Sequence, residues 1–267
     1  MPDAQRDLCR LVGLLAEEIP FRFLRFSDGE MEIIRNERLE ISETHLQWRK
    51  GEVRHNLPAY DVKTFDPDMH WNFRDDLVRA AKHRAIRYFK GVPSTHNDAV
   101  ADRDLMIEIN GGLDPYVTFS DLLINSNFRS FLRTMLPIML NRDNVYVVGN
   151  FRMRPNLLHP EWQLIRVPDN FFTDYSATKE RLLSNLGELP ANALVLSSAS
   201  SLSNILGHAV DVSRRDLTFV DIGTALHGQM GLDANTRDYH VEGQSWSLKT
   251  AIPKARYRRA SHYQIRW

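Results

Sequence analysis

The chain has 267 residues, 43 % of them hydrophobic, which is enough apolar material for one large core or two at most. Its 34 basic and 34 acidic residues cancel, so no global field recruits nucleic acid, and its single cysteine, Cys9, rules out an internal disulfide and fits a reducing compartment. No run of 18 apolar residues is present and the N-terminus is charged early without a signal-peptide core, so a cytoplasmic protein is expected.

Residues 3–18 place Leu8, Leu11, Val12 and Leu15 at helical spacing and predict a first amphipathic helix, with Cys9 expected in the core. A strand over Phe21–Phe26 follows and ends in a tight turn, Ser27-Asp28-Gly29-Glu30, that opens a short helix at Met31. From 37 to 72 the pattern is irregular, and a segment of that length is usually functional or mobile. It contains Gln47 and three cations, Arg49, Lys50 and Arg54, that suit either a phosphate or solvent. A helix over 73–84 leads into a strand over Ile86–Phe89 that Gly91 and Pro93 should stop. Next come a helix over 98–108, a strand over Tyr116–Phe119 and a helix over Ser126–Leu140 that Pro137 should kink. The strongest strand signal, Asn144–Val148, ends at Gly149-Asn150. Strands over Trp162–Val167, Ala193–Leu196 and Leu217–Val220 alternate with helices over 173–187 and from about 202 to 212. Such alternation predicts a Rossmann-like α/β fold, a mostly parallel sheet with helices on both faces, as a single domain over 1–242. After Glu242 come Lys249, Lys254, Arg256, Arg258, Arg259 and Arg266 with no carboxylate, leaving a basic tail over 243–267. That tail suits either a solvated arm or a peripheral contact with the inner membrane face.

In such a sheet ligands collect at the carboxyl ends of strands. The turns to watch are therefore Arg25–Glu30, Gly149–Arg154, Pro168–Asn170, Ser197–Ser201 and Asp221–Gly223. Ser27 and Glu30 fit a capping box that satisfies backbone N–H groups at a helix start. Asp28 and Glu30 equally supply hard oxygen ligands for Mn²⁺ or Mg²⁺, which bind through few carboxylates and bridge to substrate phosphates. Arg152 and Arg154 suit a phosphate or carboxylate, or else an exposed ion pair. The serine turn, with Ser198 and Ser200, suits either an oxyanion or helix capping. The ten histidines are scattered without zinc spacing.

Taken together, Arg25-Phe26-Ser27-Asp28-Gly29-Glu30 resembles the Arg-Phe-Gly-Asp-Gly-Glu signature of GT-D type bacterial glycosyltransferases, with Ser27 in place of glycine. Leu46-Gln47 looks like that family's Phe-Gln pair, Val147-Val148-Gly149 with Arg152 or Arg154 like its strand-glycine-arginine stretch, and Pro168–Phe172 like its Pro-x-x-Asn-Ala-Phe stretch. Ser197–Ser201 stands in the place of its Gly-Pro-Thr-Ala turn, and Asp221-Ile222-Gly223-Thr224 resembles its Asp-Ile-Gly-His stretch, with threonine for histidine. The resemblance implies a metal-dependent transfer of a sugar from a nucleoside diphosphate, UDP first among donors, to a glycan, glycolipid or glycoprotein. Asp28 and Glu30 would hold Mn²⁺ or Mg²⁺ and, with Asp221, form the catalytic set. Arg25, Ser27, Gly29, Gln47, Gly149, Arg152, Arg154, Asn170, Ser198, Ser200 and Gly223 would bind the donor. Asp221, Asp121 and Asp174 are the candidate bases for an inverting reaction. Two rival readings use the same residues, a metal-dependent phosphoesterase or nucleotidyltransferase and a non-catalytic nucleotide- or glycan-binding protein.

Overall fold

The computed structural model describes residues 2–41, 62–94 and 99–232, and within them apolar residues alternate along the strands between two cores. The strands are β1 (Arg22–Arg25), β2 (Leu39–Ile41), β3 (Lys63–Phe65), β4 (Tyr88–Val92), β5 (Val117–Phe119), β6 (Val145–Asn150), β7 (Gln163–Val167), β8 (Leu194–Ser198) and β9 (Thr218–Asp221). Seven of them form one sheet in the order β5-β4-β1-β9-β8-β6-β7, with every neighbouring pair parallel. The other two, β2 and β3, make a separate antiparallel pair.

The helices are α1 (Ala4–Ala16), α2 (Asp28–Ile34), α3 (Trp71–Lys82), α4 (Ala99–Ile109), α5 (Phe128–Thr134), α6 (Leu136–Met139), α7 (Tyr175–Gly187) and α8 (Leu202–Ser213). Leu24, Val148, Val195 and Phe219 point to one face, where Met31, Leu77, Met106, Leu182 and Leu206 cover them from α2, α3, α4, α7 and α8. Their strand neighbours Phe23, Val147, Leu196 and Val220 point to the other, under Leu11, Phe131 and Leu136 from α1, α5 and α6. Period-two burial on both sides explains why the strands read as continuous apolar runs.

Several expectations are refined. The strand predicted to stop before Gly91 runs on to Val92, because β5 lies so close that a Cβ at Gly91 would sit 2.7 Å from the Ser120 Cα. Glycine is the residue that allows this approach. The irregular 37–72 segment contains β2, β3 and the start of α3, whereas Gln47, Arg49, Lys50 and Arg54 lie outside the described residues, as does the basic tail over 243–267. Helix breaks at Met135 separate α5 from α6, consistent with Pro137, which lacks an N–H to donate backward. Cys9, expected in the core, is exposed, because the buried stripe of α1 runs through Leu8, Leu11 and Leu15.

One helix matters most for the site. At its C-terminal end α8 is tied to the start of β1 by the buried pair of Arg22 Nε and Asp211 Oδ1, 3.2 Å apart. Midway, Gly207 lets it approach so closely that a Cβ there would lie 2.2 Å from Leu24 Cδ2. At its N-terminal end Asn204 Nδ2 donates to the Arg25 carbonyl at 2.8 Å. The end of β1 is thus held in place by a helix fastened along its length.

Candidate functional site

The chain runs outward from β1 through β4 to β5, crosses the sheet, and returns through β8 to β9, so its first and last sheet strands are neighbours. Strand order reverses there, and open α/β sheets place ligands at such a reversal. Register then levels the predicted turns. Arg25 pairs with Gly91, Ser197 with Asp221, and Ser198 with Gly149. Three strand spacings, about 14 Å in all, separate β1 from β6.

At the β1 exit, the capping-box reading of Glu30 holds. The Ser27 N–H donates to Glu30 Oε2 at 3.0 Å, which is the Glu30 half of the capping box. Glu30 is therefore 8 % exposed, whereas Asp28 stands in solvent at the start of α2. Burial pushes the Glu30 carboxyl up to about 7, and the negative charges of Asp221 and Asp28 push in the same direction against the Ser27 amide and Arg25. Asp221 is 4 % exposed and burial raises it to about 6, opposed by Arg25 and by the Gly223 and Arg25 amides. Two carboxyls held near neutrality beside an arginine mark a place prepared for charge. Gly29 has no steric duty, since a Cβ there would meet Leu39 at an ordinary 3.7 Å.

Arg25 lies between these carboxyls and the β9 turn. Its Nε donates to the Ser120 carbonyl beyond β5. Gly223, at φ +50°, leaves the space its guanidinium occupies, because a Cβ would come within 1.7 Å of Nη1. The Gly223 N–H donates to Asp221 Oδ1 at 2.9 Å, and the Gly223 carbonyl accepts from Ser198 Oγ at 2.7 Å. Ser198 Oγ also lies 2.7 Å from His227 Nε2. Neither Ser198 nor Ser200 caps α8. Its N-cap is Ser201, Ser200 is exposed at φ +52°, and Ser203 Oγ takes the Ala199 N–H at 3.1 Å.

A second group gathers at the β6 and β7 exits. Asn150 Nδ2 donates to Asp169 Oδ1 at 2.7 Å and its Oδ1 accepts from the Arg152 N–H at 3.0 Å. Arg152 pairs with Asp169 at the surface, which is the ion-pair reading of that residue. Asn170 Oδ1 accepts from the Phe172 N–H at 3.3 Å and shapes the turn before α7. Gly149 has Met153 against it, so that a Cβ would meet the sulfur at 2.3 Å. Arg154 is exposed, its N–H donates to the Met230 carbonyl at 2.8 Å, and its guanidinium lies against Gly231. Of the other candidate bases, Asp121 is 7 % exposed beside the Ser120 that anchors Arg25, and Asp174 stands exposed before α7.

Ser120, Asn204 and His227 were not singled out from the sequence. Each acts by a contact 25 or more positions away, with Arg25 in two cases and Ser198 in the third. His227 had one available signal, its place six residues after Asp221 in the segment that follows the last strand.

No protein-family model matches the chain, and no curated protein matches it. Among solved structures, it is similar to a domain of unknown function 1792 described as having a distinct glycosyltransferase fold. The TM-score is 0.54 at 11 % identity, over 97 % of this chain and 90 % of that one. It is also similar to a glycosyltransferase with the same domain from Streptococcus sanguinis, with a TM-score of 0.51 at 16 % identity over 84 % of each chain. What is shared is the glycosyltransferase fold. A parallel sheet with helices on both faces, expected from the alternation of elements, is what the chain adopts.

Proposed function

We propose that this protein is a glycosyltransferase that moves a sugar from a nucleoside diphosphate, UDP first among donors, to a glycan, glycolipid or glycoprotein acceptor. The observation that carries the reading is the convergence of Arg25, Asp28, Glu30 and Asp221 at the strand-order reversal, on a fold like that of the glycosyltransferase structures above. The residue-by-residue resemblance to the GT-D signature points the same way.

Among the described residues, no group of three or more His, Cys, Asp or Glu side chains is arranged to enclose a metal. The residues fit the other mode, in which Mn²⁺ or Mg²⁺ takes one or two carboxylates and completes its shell with water and phosphate oxygens. Asp28 is exposed and open to such an ion, and burial with the nearby Asp221 and Asp28 disfavours the ionised form of Glu30, a cost that a cation would reduce. When bound, the ion would supply charge neutralisation for the diphosphate leaving group.

The chain's own residues then divide the work. Arg25, rigid between Ser120 and Gly223, would pair with phosphate oxygens. Asp221 holds the Gly223 turn by accepting from the Gly223 N–H, and so fixes the wall against which Arg25 lies. Ser198 and Gly149, paired with each other one residue beyond the level of Asp221, would line the path of the donor toward β6, with Asn170 and Arg154 at its rim. Gln47 and the basic tail lie outside the described residues.

Calorimetry with UDP, GDP and their sugars, with and without Mn²⁺, followed by product analysis, tests the reading. Metal-dependent UDP binding with release of UDP from a UDP-sugar is expected. Release of inorganic phosphate or UMP instead would favour the phosphoesterase or nucleotidyltransferase reading, and binding without turnover under any acceptor the non-catalytic one.

A further inference from the structure

We propose that His227 is a positioning residue for Arg25, acting through Ser198 and the Gly223 peptide; this rests on the reading of Arg25 as a phosphate partner. His227 stands at the end of an unbroken relay that leads to the Arg25 guanidinium. His227 Nε2 lies 2.7 Å from Ser198 Oγ, Ser198 Oγ lies 2.7 Å from the Gly223 carbonyl, and Gly223 forms the wall against the Arg25 guanidinium.

Hydrogen-bond counting assigns the protons in this relay. Ser198 has one hydroxyl proton, and the Gly223 carbonyl can only accept. Were the proton directed at His227, two oxygen lone pairs would face each other across 2.7 Å. The hydroxyl therefore donates to Gly223, and His227 Nε2 carries a hydrogen and donates to Ser198. That Nε2 hydrogen is present in both neutral and protonated imidazole. What the relay needs is therefore a hydrogen-bond donor of the right reach.

The wall it supports has little tolerance. Gly223 sits at φ +50°, its N–H is taken by Asp221 Oδ1 at 2.9 Å, and its carbonyl by Ser198, so the peptide is fixed from both sides. Arg25 has one further anchor of its own, the Ser120 carbonyl. Without His227, the Ser198 hydroxyl loses the partner that selects its rotamer, the Gly223 carbonyl loses a fixed donor, and the guanidinium gains room to move.

The test is binding of UDP and of inorganic pyrophosphate, each with Mn²⁺, measured by calorimetry between pH 5.5 and 8, with melting curves for every variant. His227→Ala is expected to weaken both ligands roughly five- to tenfold, the scale of one lost hydrogen bond. His227→Gln, whose amide donates from a similar reach, is expected to stay within about twofold of the natural protein. Ser198→Ala should match His227→Ala, and the double variant should be no worse than either, as for two links of one relay. Natural affinity in a folded His227→Ala overturns the proposal. So does a His227→Gln variant as weak as His227→Ala, since a donor of similar reach would then fail to restore the relay. If the natural protein binds neither UDP nor pyrophosphate, the functional reading itself fails and this inference with it.

Discussion

Replacing Glu30 by Gln separates what this residue does for the fold from what it does for a ligand. The amide oxygen can still accept the Ser27 N–H, so the capping contact at 3.0 Å is retained while the charge is removed. In the folded chain the carboxyl is raised from 4.5 to about 7. A group whose folded value lies above its unfolded one holds its proton more tightly when folded, so stability is lost as pH rises from about 4.5 through about 7. At about 1.4 kcal/mol per pH unit, the ionised residue costs the folded state about 3 kcal/mol at pH 8. Glu30→Gln should therefore melt roughly 6 °C higher than the natural protein at pH 8 and nearly level with it at pH 5. Paired urea or thermal unfolding at the two pH values measures this. Metal-dependent UDP binding should be lost in the same variant, and saturating Mn²⁺ should stabilise the natural protein more than the variant. A Gln variant that is less stable at pH 8, or shifted equally at both pH values, would refute the reasoning, because the charge would then be compensated within the fold.

Asp28→Ala, at an exposed position, should abolish metal-dependent UDP binding with a melting temperature within a degree or two of the natural value, measured by calorimetry and thermal unfolding. Gly223→Ala should displace the Arg25 guanidinium and strain the left-handed turn, costing about 1–3 kcal/mol in urea unfolding and weakening pyrophosphate binding at least tenfold. Asp211→Ala should cost about 3–5 kcal/mol by leaving Arg22 buried without its carboxylate and His83 without its partner, read from chemical denaturation. Removal of residues 249–267, which carry six cations and no carboxylate, should reduce co-sedimentation with anionic vesicles, and unchanged co-sedimentation would end the membrane-contact idea.

Much of the architecture was legible because both faces of the sheet are buried. Runs such as Val145–Val148 and Leu194–Leu196 leave little choice but a covered strand, and the helices between them impose parallel pairing. Boundaries were less legible where a neighbour decided them. Gly91 reads as a strand stop, yet it continues β4 because Ser120 comes too close for any other residue. Cys9 reads as core and is exposed, since it lies beside the buried stripe of Leu8, Leu11 and Leu15 rather than on it.

At the site the division follows the same physics. Sequence spacing alone determined that Ser27 and Glu30 can close a capping box and that Asp28 and Glu30 share one turn, because those relations are local to a single helix start. Only tertiary structure decided that Glu30 faces Asp221 and that Arg25 is clasped between Ser120 and Gly223. It likewise placed His227 behind Ser198 and left Arg152 with Asp169. Those contacts join strands whose order in the sheet differs from their order in the chain, and the energy that sets them is the burial and pairing of side chains brought together by that order.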